Sequence, residues 1–162
     1  MQPEILDVTQ RDLPAILALN ESEVPHVGCI DIDRLRWFAT HADYFRVAWE
    51  YDRLAGFLIG LRPGSSYTSP NYRWFCNRYA DFAYVDRIVI APHARRLGLA
   101  ARLYRDFAAA MPASVRRLSC EVNIRPPNER SMRFHINFGF TEVGTLNSDD
   151  DSKQVALLMK SL

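Results

Sequence analysis

The side chains best suited to chemistry gather around one stretch, from Tyr84 to Phe107. An acid, Asp86, stands in a run of Val85, Ile88, Val89 and Ile90, and a basic turn of Arg95, Arg96, Leu97, Gly98, Leu99 and Ala100 follows. The β-branched run reads as a buried strand that Pro92 ends. Ala100, Leu103, Tyr104, Phe107, Ala108 and Met111 then recur at the spacing of one helical face. Two cations and a glycine thus fall at a helix start, where unpaired N–H groups and the positive dipole end favour an anion such as phosphate. A dinucleotide fingerprint would need Gly-x-Gly-x-x-Gly, and only Gly98 stands in this turn. A Walker-type Gly-x-x-x-x-Gly-Lys-Ser/Thr loop occurs nowhere in the chain.

Two carboxylates and one helix face complete the set. Asp86 lies in an apolar strand and Glu121 in the next expected strand, Leu118 to Asn123. A carboxylate among apolar neighbours is costly unless it is paired or used. Arg87 could pair with Asp86, but adjacent strand residues point to opposite faces, so the bridge does not follow from sequence. Asn128, Ser131 and His135 stand at i, i+3 and i+7 on one face of a helix expected from about Glu129 to Asn137.

The elements that must position these groups follow in chain order. Ile5 to Val8 reads as a first strand, and Thr9 with Asp12 as a cap ahead of a helix that ends near Asn20. A polar loop broken by Pro25 and Gly28 leads to a second helix capped by Asp31 or Asp33. Tyr44 to Tyr51 and Leu54 to Leu61 read as a hairpin joined by Asp52 and Arg53. The connection from Arg62 to Asp81 is far longer than the usual 4–6 residues or so, which suits either a functional lid with a helical turn or two or a surface excursion that packs its aromatics. Gly139 suits a helix C-terminus, and Phe140 to Leu146 and Gln154 to Met159 read as closing strands around the acidic turn Asp149 to Asp151. That turn lacks the Asp-x-Asp-x-Asp-Gly spacing of a calcium loop and is read as solvated.

Composition narrows the partners. A chain of 162 residues with 48% hydrophobic content is the size of one domain, 1–162, with a sizeable core. The formal charge of +1, with no run of like charge, argues against a general nucleic-acid or membrane-surface binder. Cys29, Cys76 and Cys120 are too few and too scattered for a disulfide framework or zinc site, so no metal is expected and a reducing cytoplasm suits them. No apolar run approaches membrane-spanning length and no leader pattern is seen, so the chain is expected to be soluble and cytoplasmic.

Arg95-x-x-Gly98-x-Ala100 resembles the acetyl-CoA pyrophosphate loop of the GNAT N-acetyltransferases, Gln/Arg-x-x-Gly-x-Gly/Ala. Asn128-Glu-Arg-Ser-Met-Arg-Phe-His-Ile-Asn-Phe-Gly-Phe140 resembles that family's second signature, Asn-x-x-Ala/Ser-x-x-Phe/Leu-Tyr-x-x-x-Gly-Phe, with Asn128, Ser131, Phe134, Phe138, Gly139 and Phe140 in register. The resemblance implies a mixed α/β fold, a mostly antiparallel sheet flanked by helices and splayed between the fourth and fifth strands. It implies acetyl-CoA as co-substrate, with Ile88, Val89 and Ile90 on the pantetheine arm, the amides of Arg95 to Ala100 on the pyrophosphate, and Asn128 and Ser131 on the cofactor. The acceptor would be a primary amine of a small molecule, amino-acid derivative or peptide. Asp86 or Glu121 would take its proton, and a backbone N–H of the central strand would hold the developing oxyanion.

The sequence departs from the family at His135, where a tyrosine commonly protonates the departing thiolate; the histidine could do so, or could serve packing alone. By the same resemblance Glu21, Glu23 and His26, with Tyr72 and Trp74 of the Tyr67 to Tyr79 segment, would meet the acceptor. Acids and aromatics suit a cationic or aromatic amine, whereas Arg73 and Arg78 would suit a substrate carboxylate. A non-catalytic acyl-CoA-binding domain is the alternative, and a homodimer stays open.

Overall fold

The computed structural model describes residues 2–162. Seven strands and five helices follow one another: β1 (Glu4–Asp7), α1 (Leu13–Ser22), α2 (Ile32–His41), β2 (Tyr44–Glu50), β3 (Arg53–Leu61), α3 (Pro70–Cys76), β4 (Phe82–Ile90), α4 (Leu99–Ala110), β5 (Arg117–Arg125), α5 (Glu129–Phe138), β6 (Thr141–Asn147) and β7 (Gln154–Ser161). The strand order is β1-β2-β3-β4-β5-β7-β6. Antiparallel ladders join β1–β2, β2–β3, β5–β7 and β6–β7, and β4 pairs parallel with β5. This is the mixed α/β, mostly antiparallel architecture that the sequence predicts.

The chain divides into two compact units. The first runs to Leu61 and resumes over Arg87–Ala110; the second holds Arg62–Asp86 and Met111–Leu162. In the first, the β2–β3 hairpin turns through Tyr51 at φ 55, and Ala55 and Phe57 to Leu61 of β3 are buried. The helical period of α4 places Leu99, Leu103, Tyr104 and Phe107 inside. Phe107 lies so close to β3 that a Cβ on Gly60 would stand 2.4 Å from its ring, so only glycine admits this approach. Thr9 and Asp12 form a capping box on the 3₁₀ turn Gln10–Asp12 that leads into α1, and Asp31 caps α2 by accepting from the Arg34 N–H at 2.7 Å.

In the second unit the β4–β5 ladder holds three residue pairs, Phe82↔Arg117 to Tyr84↔Ser119, although both strands continue beyond it. A short parallel ladder suits a splay that opens after Tyr84. The long connection contains α3, two turns of helix as expected. Tyr72 and Phe75 of α3 are buried, and Trp74 lies against Gly144 of β6, where a Cβ would come within 2.7 Å of the indole. The acidic β6–β7 turn satisfies itself: Asp150 accepts from Ser152 and Ser148, and those bonds hold its carboxyl down at about 2.

Candidate active site

The expected anion site is built by local backbone geometry in the first unit. After β4 a 3₁₀ turn, Pro92–Ala94, carries the chain into Arg95, whose N–H donates to the Pro92 carbonyl at 3.4 Å. Arg96 at φ 63 and Gly98 at φ 76 are then both left-handed. Such a conformation is rare for arginine, and strain of this kind persists where the surroundings impose it. The Arg102 N–H bonds the Gly98 carbonyl at 3.1 Å and starts the ladder of α4, so the amides ahead of it have no partner inside the helix. Leu97 is held out at 66% exposure while Leu99 is buried, which seats the helix start against the core.

Neither flanking arginine is spare. Arg95 Nε donates to the Ile90 carbonyl at 3.1 Å, and its Nη2 lies 2.6 Å from Glu23 Oε1 in an ion pair that is off the hydrogen-bond axis. Arg87 Nη1 donates to Asn20 Oδ1 at 2.9 Å and to the Gly28 carbonyl at 3.0 Å. The buried Asn20 donates to the same carbonyl at 3.0 Å. The end of α1 and the loop after it are thereby fastened to β4 and to the turn that follows it. Helix α1 runs to Ser22, two residues past its expected end; of the three residues here expected to meet an acceptor, Glu21 in the last turn of α1 and His26 in the loop are exposed, and Glu23 is held by Arg95.

Asp86 and Glu121, both in the second unit, each accept from a tyrosine. Tyr67 donates to Asp86 Oδ1 at 2.6 Å, and Tyr84 donates to Glu121 at 2.7 Å and 2.9 Å to its two oxygens. Alternation along β4 puts Tyr84 and Asp86 on one face, so these four groups form one cluster. Burial pushes the Tyr84 hydroxyl well above its ordinary range, and the charges of Glu121 and Asp86 push it further the same way. Tyr84 therefore stays protonated and can only donate to Glu121. Tyr72, expected at the acceptor, is buried: its hydroxyl donates to the Arg62 carbonyl at 2.6 Å, accepts from the Ser65 N–H at 3.2 Å, and its ring sits between those of Tyr67 and Tyr84. It shapes the loop that carries Tyr67. Trp74 is half-buried under the Arg78 guanidinium, 3.9 Å from the ring centroid.

At the start of α5, Asn128 caps the helix by accepting from the Ser131 N–H at 3.3 Å. Its amide N–H groups remain the donors with which it could address a ligand. His135 is buried, with the rings of Phe134 and Phe140 edge-on to it. Its Nδ1 lies 2.7 Å from the Ser131 carbonyl, which can only accept, so Nδ1 carries the proton and Nε2 of the neutral ring is unprotonated. Burial lowers its pKa, and the bond to Ser131 only partly opposes this. Neutral His135 in this tautomer has no second proton to give.

The partners of the acids were not legible from sequence. Tyr84 carries a weak signal, since it stands two residues before Asp86 in a strand. Tyr67 carries none, because it reaches Asp86 only through the path of a loop. Among the described residues no group of three or more His, Cys, Asp and Glu is placed to hold a metal ion, and no helix is long and apolar enough to cross a membrane.

The sequence pattern of the acetyltransferase (GNAT) family matches residues 11–140. The chain belongs to the GNAT acetyltransferase family. Solved structures share the GNAT fold over nearly the whole chain. Ard1 from Thermoplasma volcanium matches with a TM-score of 0.79 at 14% identity, over 100% of this chain and 99% of that one. An N-acetyltransferase from Staphylococcus aureus Mu50 matches at 0.70 and 24% identity, over 99% of each. Naa20 from Chaetomium thermophilum, in complex with a bisubstrate analogue, matches at 0.74 and 20% identity, over 98% of this chain and 86% of that one. At these identities the likeness carries the GNAT fold and not the substrate. No curated protein matches the sequence.

Proposed function

We propose that this GNAT protein transfers an acetyl group from acetyl-CoA to a primary amine by direct attack. The cluster of Asp86 and Glu121, each accepting from a tyrosine, is the observation that supports the amine. Two carboxylates on neighbouring strands attract an ammonium, and a carboxylate has about four lone-pair sites, so Asp86 can accept from an ammonium while it accepts from Tyr67. Asp86 then takes the proton that the amine must lose before it can attack. Glu121, anchored by Tyr84, adds negative potential that favours a cationic acceptor over a neutral one.

The turn before α4 suits a pyrophosphate: left-handed Arg96 and Gly98 present successive amides, and the helix start adds its dipole. Acetyl-CoA supplies the activated thioester. Arg96 to Ala100 would hold its phosphates through backbone N–H groups and Ile88 to Ile90 its pantetheine arm; by the family resemblance Asn128 would donate its amide to the cofactor. We assign His135 to the packing of α5, so the departing thiolate takes its proton from water.

Incubation with acetyl-CoA and a panel of amines, including peptide N-termini, diamines, aromatic amines and amino sugars, tests the reading through release of free thiol. Faster release with cationic or aromatic primary amines is expected. CoA binding without amine-dependent thiol release would instead make this a binding domain.

A further inference from the structure

We infer that Glu23 is a positioning residue for the cofactor turn and not a ligand of the acceptor, an inference that rests on the assignment of Arg96 to Ala100 to the CoA pyrophosphate. Glu23 is the C-terminal cap residue of α1, its N–H bonded to the Asn20 carbonyl at 3.1 Å. Its carboxylate turns inward: the side chain is 14% exposed, against 24% for Arg95, and the two charges lie 2.6 Å apart. Arg95 passes the constraint on. Its Nε holds the carbonyl of Ile90, the last residue of β4, while its backbone opens the turn in which Arg96 and Gly98 are left-handed.

The turn therefore has its first residue fixed at two points, one at the strand end and one at the end of α1. The second point matters because the strained residue is the next one along. A left-handed arginine is disfavoured relative to an ordinary right-handed or extended conformation. A turn whose first residue is free to swing would relax into other conformations, and the aligned amides would be lost before any anion arrived. Glu23 thus acts on CoA through Arg95 without touching it. Glu21, in the last turn of α1, and His26, in the loop after it, are exposed, whereas Glu23 is half-buried.

Coenzyme A alone is the probe of the mutant cycle, and the acceptor KM is read separately with an accepted amine. Calorimetric titration of CoA into the wild-type protein and Glu23→Gln should show affinity falling about tenfold in the variant, the size of a typical coupling between sites. In an Arg95→Met background the same substitution should cost less than about twofold, because the partner is already gone. Circular dichroism at the titration temperature confirms that each variant is folded. Gly98→Asp serves as the control for the underlying assignment: if it loses CoA while folded Glu23→Gln binds as the wild type does, the assignment stands and this inference falls. Equal losses in both backgrounds would also overturn it, as would an acceptor KM that rises with CoA affinity unchanged. If the wild type does not bind CoA, the inference and the assignment fall together.

Discussion

At the turn before α4, charge is handled by the backbone; at Asp86 and Glu121 it is handled by side chains. The turn holds its geometry through two left-handed residues, one ion pair and one side-chain bond to a carbonyl, all of them close to the loop in sequence or fastened to it by Arg95. The acid cluster gathers Tyr67, Tyr84, Asp86 and Glu121 from a loop and two strands, and each bond in it joins side chains. A backbone site tolerates many side chains provided the conformation survives. A side-chain site fails when one functional group is removed. The first arrangement suits a co-substrate shared by a whole family, and the second suits an acceptor that differs from one member to the next.

The substitution that should separate the two regions most sharply is Asp86→Asn. Loss of the base is expected to lower kcat/KM about a hundredfold or more, the lower end of what general bases contribute, with CoA affinity unchanged by calorimetry. Turnover near the parent's would remove Asp86 from the mechanism and leave the cluster without a function.

Gly98→Asp reverses the pattern. A side chain at φ 76 costs about 1–2 kcal/mol of backbone strain, and a carboxylate beside the phosphates adds repulsion, so CoA should bind more than tenfold more weakly. No atom lies within 4 Å of the Cβ position, so the fold should survive; unaltered affinity would contradict the cradle.

A smaller effect is expected from Tyr67→Phe, which deletes the 2.6 Å bond to Asp86 and keeps the ring. A hydrogen bond to a charged group is worth about 1.5–3 kcal/mol, so kcat/KM for the acceptor should fall roughly tenfold while the KM for acetyl-CoA stays put. If both constants moved together, Tyr67 would be a general support of the loop and the two regions would not be separable.

His135 gives the smallest effect, one on stability and not on rate. Its lowered pKa means that the unfolded chain takes up a proton before the folded protein does. The stability this represents is complete above the unfolded value of about 6.5 and is lost as pH falls from there through the folded value. Urea denaturation between pH 7.5 and about 5 should therefore show less acid sensitivity in His135→Gln than in the parent, with turnover within about threefold. A collapse of turnover in the variant would return the histidine to the chemistry.

The same contrast explains what could be read in advance. Gly98 and the Asn128 to Phe140 segment declare themselves in a few consecutive residues, because turn and helix geometry are local. Strand β4, helix α4 and the N-terminal cap of α2 were legible for the same reason. Arg95 was legible as a residue of the turn, whereas its ion pair with Glu23 was not, since that depends on where α1 ends. Tyr67 lies 19 residues from Asp86, at the end of a loop whose course is set by the Tyr72 hydroxyl and by aromatic packing around it. No periodicity encodes such a path. Tyr72 and Trp74 are a like case: the ring of Tyr72 packs on Tyr84 and that of Trp74 on Gly144, contacts that their place in a long connection does not encode.

Direct attack of the amine on the thioester is the claim on which the roles of Asp86 and the turn both depend, and initial-rate kinetics tests it most directly. Acetyl-CoA and an accepted amine are varied together, and intact protein mass is measured after incubation with acetyl-CoA alone. Cys29 is exposed, Cys76 half-buried and Cys120 buried, so a cysteine able to carry an acetyl group would be detected as an adduct. Intersecting double-reciprocal lines and an unmodified protein mass are predicted, because both substrates must be present before the acetyl group moves. Parallel lines with an acetylated protein that hands its acetyl group to the amine would contradict the account.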